Sequence, residues 1–246
     1  MKTVGHSEPY EPLQRGQVAT RFLGGGLLLA LMLSAIGWAI VHLATPSPLT
    51  RWEDSVNQWF FVHRTPTFNG VTQVGSRLAE TLTCFALLVV MVVVLRIWLG
   101  RWRESWALFA AIGGELLVFL IVTTVVNRAR PIVPHLDVAP PTSSFPSGHT
   151  AAAVALYGYL AVIAFRQLHP RWFAVTLTLV LCVVPIFVGA SWLYRGMHHP
   201  TDVLFGAIGG GLWLALVLTT LLPAPHLRIK ERAAAPGGQP VPIAAA

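Results

Sequence analysis

Residues 144–150 have the residue types that bind an anion and move a proton. The stretch lies between two apolar runs, where a loop should turn into a helix. Ser147 is a favoured helix N-cap, and the first N–H groups of a helix have no internal acceptor, so they attract phosphate-like anions. Gly148 lets a ligand approach the backbone closely, and His149 adds a titratable proton donor. The stretch alone fits a simple capped helix equally well.

A second polar cluster, residues 191–202, contains His198 and Asp202. If a helix has begun, residues four apart lie on one face, so the carboxylate could hold one imidazole nitrogen. The other nitrogen would then be free to act as a nucleophile. The alternative is that Asp202 only caps the following helix. His199 is the lesser candidate because it is offset around the helix.

A third cluster, residues 127–131, contains Arg128 and Arg130 and ends an apolar run. All three clusters border segments that are apolar enough for a membrane. Charged and titratable side chains are costly at that depth and usually have a function. We therefore expect the three clusters to meet in one site.

The elements that must position these clusters are hydrophobic helices. The 246 residues are 54% hydrophobic and 11% charged, and the basic residues are scattered rather than clustered, which argues against a nucleic-acid partner. We predict an all-α polytopic membrane protein with six transmembrane helices and a short interfacial helical segment within residues 49–80, between the first and the second. The spans are residues 22–44, 81–99, 105–126, 149–165, 172–193 and 203–222.

The predicted domain order is a flexible cytoplasmic tail over residues 1–21, the membrane domain over 22–222 and a second flexible cytoplasmic tail over 223–246. Most of the 17 Lys and Arg residues fall on the side that holds both termini. The positive-inside rule then places the termini in the cytoplasm and the three clusters at the outer face of the cell membrane.

Together the clusters resemble the three motifs of the type 2 phosphatidic acid phosphatase and vanadium haloperoxidase superfamily: K-x6-R-P, P-S-G-H and S-R-x5-H-x3-D. The match is carried by Arg130-Pro131, by residues 146–149, and by Ser191 with His198 and Asp202. The resemblance implies a membrane phosphatase that needs no metal or cofactor and works through a phosphohistidine intermediate. The soluble haloperoxidases of the superfamily fit a chain with six spans poorly.

By the same resemblance His198 is the nucleophile, Asp202 orients it, and His149 protonates the leaving oxygen. The phosphoryl oxygens would be bound by three groups, which are Ser147, the Gly148 backbone and Arg130.

Two positions depart from the motifs. Thr123 stands where the first motif has lysine, and Trp192 where the third has arginine. Because phosphoryl transfer depends on charge neutralisation, we expect Arg195, or as second choice Arg128, to supply the missing charge, with Thr123 kept as a phosphate-binding candidate. Glu115, in the middle of the third span, is expected to be a buried hydrogen-bonded acid rather than a catalytic group.

The expected function is hydrolysis of a lipid phosphate or diphosphate at the outer membrane surface, with the lipid and the bilayer as partners. Polyprenyl diphosphate, phosphatidic acid and phosphatidylglycerophosphate are equal candidates on sequence grounds, and the sequence indicates no oligomeric state. The alternative is a non-catalytic lipid-binding or scaffolding relative, which the two replaced cations would favour.

Overall fold

A computed structural model describes residues 14–44 and 46–222, and this part of the chain contains eight helices. In chain order they are α1 Arg15–His42, α2 Pro48–Val62, α3 Pro66–Leu78, α4 Thr81–Leu99, α5 Arg103–Val126, α6 Gly148–Gln167, α7 Arg171–Tyr194 and α8 Pro200–Leu221. Six of them, all except α2 and α3, are long and apolar enough to cross a membrane. The predicted all-α architecture with six spans is confirmed.

The boundaries differ most at the N-terminus. The sequence predicts a flexible tail over residues 1–21, whereas residues 15–21 form the first turns of α1. The Gln17 side chain accepts the Gln14 N–H at 2.9 Å, which gives this polar stretch a capped helix start. The apolar run indicated only the part of the helix that crosses the membrane, and α1 begins seven residues before that run. Residues 1–13 and the predicted tail 223–246 lie outside the described residues.

The predicted interfacial segment is two helices rather than one. Each begins with a hydroxyl N-cap and a proline: Ser47 Oγ accepts the Thr50 N–H at 3.3 Å, and Thr65 Oγ1 accepts the Phe68 N–H at 3.2 Å. The tryptophans of α2 are exposed, as expected at an interface, while its inner face buries Glu53 and Asn57. The face that α2 turns toward the bundle is therefore polar.

At the centre of the bundle α6 packs against α5, α7 and α8. The start of α8 lies directly on the start of α6, because a Cβ at Gly206 would be only 2.5 Å from the Ser147 carbonyl oxygen. One turn later Gly210 is equally close to the Ala151 carbonyl oxygen. These two glycines allow the backbones of the helices to touch, and this contact fixes where the polar residues at both helix starts meet.

We expect Gly206→Ala to lower stability by about 1–3 kcal/mol, because the new methyl group meets backbone that cannot move aside cheaply. Gly211→Ala is the matched control on the same helix, since its Cβ would have its nearest neighbour, Val154 Cγ1, at 4.0 Å. Thermal unfolding in detergent should show a lower midpoint for the first variant and an unchanged or higher one for the second. Equal midpoints would contradict the close packing.

Candidate active site

The start of α6 has the predicted capped geometry. Ser147 is its N-cap, and its Oγ accepts the Thr150 N–H at 3.4 Å and lies 2.9 Å from Thr150 Oγ1. The Ser147 N–H donates to the Asp202 carbonyl at 2.9 Å, which ties this helix start to the start of α8. A Cβ at Gly148 would lie 2.8 Å from the Phe119 ring of α5, so only glycine fits without a shift.

His149 and His198 both contact the indole ring of Trp192. The His149 ring stacks on Trp192 with centroids 4.0 Å apart and an interplanar angle of 28°. The His198 ring meets the same indole nearly edge-on, with centroids 5.8 Å apart. The structure therefore brings together the two imidazoles that the sequence placed 49 positions apart. The residue between them stands where the third motif has arginine.

The hydrogen bonding of His198 fixes which nitrogen is free. Its Nδ1 lies 2.8 Å from the Ser144 carbonyl oxygen. A carbonyl only accepts, so Nδ1 carries the hydrogen and Nε2 keeps its lone pair. Burial lowers the pKa of His198, and Asp202 nearby offsets part of this effect. Burial therefore favours the neutral form of the ring, the form in which an imidazole can act as a nucleophile.

Asp202 acts on His198 through an intermediate residue. Its Oδ2 is 3.8 Å from His198 Nδ1, beyond hydrogen-bonding distance, but it accepts the Ser144 hydroxyl at 2.5 Å. The same carboxylate oxygen accepts the His199 N–H at 2.8 Å and lies 3.2 Å from His199 Nδ1. The expected direct bond from Asp202 to His198 is thus replaced by a relay through Ser144, while His199 makes the closer contact.

Arg128 is part of a buried ion network. One end of its guanidinium donates to Asp202 Oδ1 at 2.5 Å and to Thr201 Oγ1 at 2.8 Å, and the other donates to Glu53 Oε2 at 2.6 Å. Glu53 Oε1 accepts both the N–H and the hydroxyl of Thr201, at 3.0 and 2.5 Å. These bonds pin α2 to the start of α8. They argue against Arg128 as the replacement cation, because two carboxylates already neutralise it.

Arg195 is also fully engaged, by one carboxylate and by backbone carbonyls. Its Nε and Nη2 form a bidentate pair with the Asp137 carboxylate, and Nη1 donates to the Asn69 carbonyl at 3.1 Å. The side chain is buried and fastens the loop before α6 to α3. The expectation that Arg195 supplies the missing charge therefore has no support in this geometry, because its loop partner holds the guanidinium in place.

Arg130 has donors to spare. Its Nη1 donates at 2.7 Å to the carbonyl of Met197, the residue directly before His198. Its Nε has no hydrogen-bond partner among the described residues. Burial lowers the pKa of Arg130 and the Asp202 carboxylate partly offsets this, but a guanidinium keeps its charge at physiological pH. Arg130 is thus the motif cation that remains available to an anion.

Sequence reasoning missed Glu53 and Ser144. Glu53 is fully buried on α2, with Asn57 buried one turn later on the same face. A pair of polar residues at i and i+4 on the inner side of an amphipathic helix was the available signal. Ser144 acts through its carbonyl as well as its hydroxyl, and a backbone contact has no residue-type signal. Glu115 is buried in α5 beside a small apolar cavity, as predicted, but the hydrogen bond expected for its carboxyl group is not present among the described residues.

A groove of about 780 Å³ runs from the imidazole–indole stack past the junction of α3 and α4, where polar residues including Arg77 and Glu80 line it. His149 and Trp192 line one part of it, and Leu82 and Phe85 of α4 line another. The last two side chains are 75% and 61% exposed on the outside of the bundle. The groove therefore connects the polar site with exposed apolar side chains at the start of α4.

Residues 103–224 match the model of the PAP2 superfamily. The chain is 25% identical over 195 residues to phosphatidylglycerophosphatase B of Bacillus subtilis, covering 73% of this chain and 85% of that protein. Its fold is similar to the crystal structure of a transmembrane PAP2-type phosphatidylglycerolphosphate phosphatase from Bacillus subtilis (TM-score 0.68, 24% identity, 81% of this chain and 95% of that one). LpxE from Aquifex aeolicus is also similar (TM-score 0.53, 24% identity, 67% and 93%).

These matches agree with the motif pattern and the convergence of its residues at one end of the bundle. Residues 103–224 of the chain thus match the PAP2 superfamily, and its fold is that of a transmembrane PAP2-type phosphatase.

Proposed function

We propose that this protein hydrolyses a membrane lipid phosphate or diphosphate through a phosphohistidine intermediate. The observation that carries the proposal is the buried His198 ring, whose Nδ1 is bonded to the Ser144 carbonyl and whose Nε2 has no hydrogen-bond partner within the described residues, next to the indole that also contacts His149. An imidazole held in this way has one nitrogen for attack and no competing internal use for it.

The reaction needs two proton transfers, and one residue can perform both. In the first step His198 Nε2 forms a bond to phosphorus, the phosphorus–oxygen bond to the lipid breaks, and protonated His149 gives its proton to the leaving oxygen. In the second step neutral His149 takes a proton from water, whose oxygen attacks phosphorus and breaks the phosphorus–nitrogen bond. Inorganic phosphate leaves, and both histidines return to their starting forms.

Three groups are proposed to hold the phosphoryl oxygens during these steps. They are the Ser147 side chain, the backbone N–H of Gly148 at the helix start, and Arg130, which brings the positive charge. The residues need no metal to neutralise part of the charge or to provide a nucleophile. The proposed enzyme is therefore metal-independent.

The groove supports a substrate that stays partly in the membrane. A phosphate beside His149 would leave room for its lipid portion along α4, past the exposed Leu82 and Phe85. Phosphatidylglycerophosphate is the first candidate to test, because the curated relative is a phosphatidylglycerophosphatase. Phosphatidic acid and polyprenyl diphosphate are the others. The distribution of basic residues supports cytoplasmic termini and a site at the outer face of the cell membrane.

The test is phosphate release by the purified full-length protein in detergent micelles against these three lipids, with His198→Ala as the inactive control. We expect release from at least one lipid to exceed that of the control, with and without a metal chelator. Equal release by the two proteins on every lipid would favour a non-catalytic lipid-binding role instead. Loss of activity with the chelator would contradict metal independence.

A further inference from the structure

Unpartnered polar atoms are concentrated at the motif positions. In the part of the chain that the structure describes, five side-chain nitrogen or oxygen atoms are buried without a hydrogen-bond partner. Three of them are Thr123 Oγ1, Arg130 Nε and Trp192 Nε1. Leaving such an atom unpaired is costly, so three of them at one set of motifs indicate a ligand that pairs with them.

The indole of Trp192 is unusual for a buried tryptophan in this chain. Trp192 is 6% exposed and Trp213 is 5% exposed, so the two are buried to the same degree. Trp213 donates its Nε1–H to the Ala110 carbonyl at 3.0 Å, whereas Trp192 Nε1 has no acceptor among the described residues. A buried indole N–H usually finds a partner. The lack of an acceptor is therefore specific to Trp192, the tryptophan whose indole contacts both His149 and His198.

Thr123 is also buried, on α5. It follows Phe119 by one helical turn, and the Phe119 ring packs against Gly148 at the start of α6. The two positions that lack the motif cations thus both present a neutral hydrogen-bonding group near the helix start. Arg128 and Arg195, the alternative cations, are held by carboxylates.

We propose that Trp192 is a substrate-binding residue whose indole N–H donates to a phosphoryl oxygen, in the position where the motif has arginine. This inference rests on the proposed function of the same site. The site then binds the phosphoryl group with Arg130 as its motif cation and with neutral donors at the two motif positions that lack one. The indole has a second role in this proposal. Its face stacks on the His149 ring and so holds that ring beside the bound phosphate.

The test compares Trp192→Phe with Trp213→Phe in the full-length protein. Trp192→Phe removes the N–H and keeps an aromatic ring to stack on His149. We expect it to lower kcat/KM for phosphate release about 10- to 100-fold, the usual effect of losing a hydrogen bond to a charged group. It should weaken calorimetrically measured binding of orthovanadate, a tetrahedral phosphate mimic, by a similar factor. Trp213→Phe should change both quantities less than about twofold.

A second variant distinguishes a specific loss of phosphate binding from a general loss of folding. Trp192→Arg restores the motif cation, and we expect it to bind orthovanadate at least as tightly as the wild type does. Trp192→Phe with wild-type kcat/KM and wild-type orthovanadate binding would overturn the inference, as would a wild-type protein that binds no orthovanadate. Failure of the proposed function looks different: phosphate release by the wild type would not exceed that of His198→Ala, while the two tryptophan variants would still differ in orthovanadate binding.

Discussion

His198→Ala is expected to lower kcat for lipid phosphate hydrolysis by at least about 10³-fold, because the variant has no group to form the phosphorus–nitrogen bond. The hydrogen bond from Nδ1 to the Ser144 carbonyl leaves Nε2 as the reacting atom, and alanine removes it. His63→Ala is the matched control, since the His63 side chain is exposed at the end of α2 and, among the described residues, contacts only Trp59, through the Trp59 carbonyl and ring. Phosphate release by this control should equal that of the wild type.

His149→Ala should separate the two chemical steps. With a lipid alkoxide as leaving group, loss of the acid slows the first step by about 10²–10⁴-fold. With a p-nitrophenyl phosphate, whose leaving group needs no proton, the first step proceeds and the second is slow because water lacks its base. The phosphorylated protein should then accumulate, and intact-mass measurement at alkaline pH should detect it.

Two outcomes would contradict this mechanism. A His198→Ala protein that releases phosphate at the wild-type rate would exclude His198 as nucleophile. A His149→Ala protein that turns over lipid normally would exclude His149 as the acid. Phosphorylation mapped to His199 instead would move the nucleophile by one residue, to the histidine that has the closer contact with Asp202.

The spans were predictable because the bilayer sets a length for apolar runs. Residues 81–99 coincide with α4, and the other five predicted spans fall within the observed helices or end one residue past them, except at the end of α1. The division of residues 49–80 into α2 and α3 was readable in part, since Thr65-Pro66 is a helix-start pair. The early start of α1 was not, because polar residues extend a helix without an apolar signal.

The residues of the site were predictable, but their hydrogen-bond and ion-pair partners were less so. Spacing and order placed His149 and His198 at the same end of the bundle, and the structure brings them to one indole. The partners of Arg128, Arg195 and His198 were not predictable, because each bond joins segments more than fifty residues apart. Such pairings depend on the packing of helices, and a charged side chain alone does not reveal which carboxylate it will meet.

Glu53→Ala is expected to cause the largest loss of stability. It leaves the buried Arg128 guanidinium without one of its two carboxylates and removes the oxygen that accepts both the N–H and the hydroxyl of Thr201. Breaking a buried ion pair from one side costs about 3–5 kcal/mol, since the remaining charge is uncompensated. Because Arg128 also bonds Asp202, and Asp202 holds Ser144, the loss should extend to the orientation of His198 and lower kcat as well.

The measurement is the unfolding midpoint in detergent together with phosphate release. Asp54→Asn is the matched control, because Asp54 is the exposed neighbour of Glu53 on α2, and we expect its stability to stay within about 0.5 kcal/mol of the wild type. The double variant Glu53→Gln with Arg128→Met should be no more stable than Glu53→Ala, because the loss of Arg128 leaves the buried Asp202 carboxylate without its guanidinium partner. It should not recover activity, since Asp202 has lost its arginine. A Glu53→Ala protein as stable as the Asp54 variant would show that α2 is not fastened to α8 by this network.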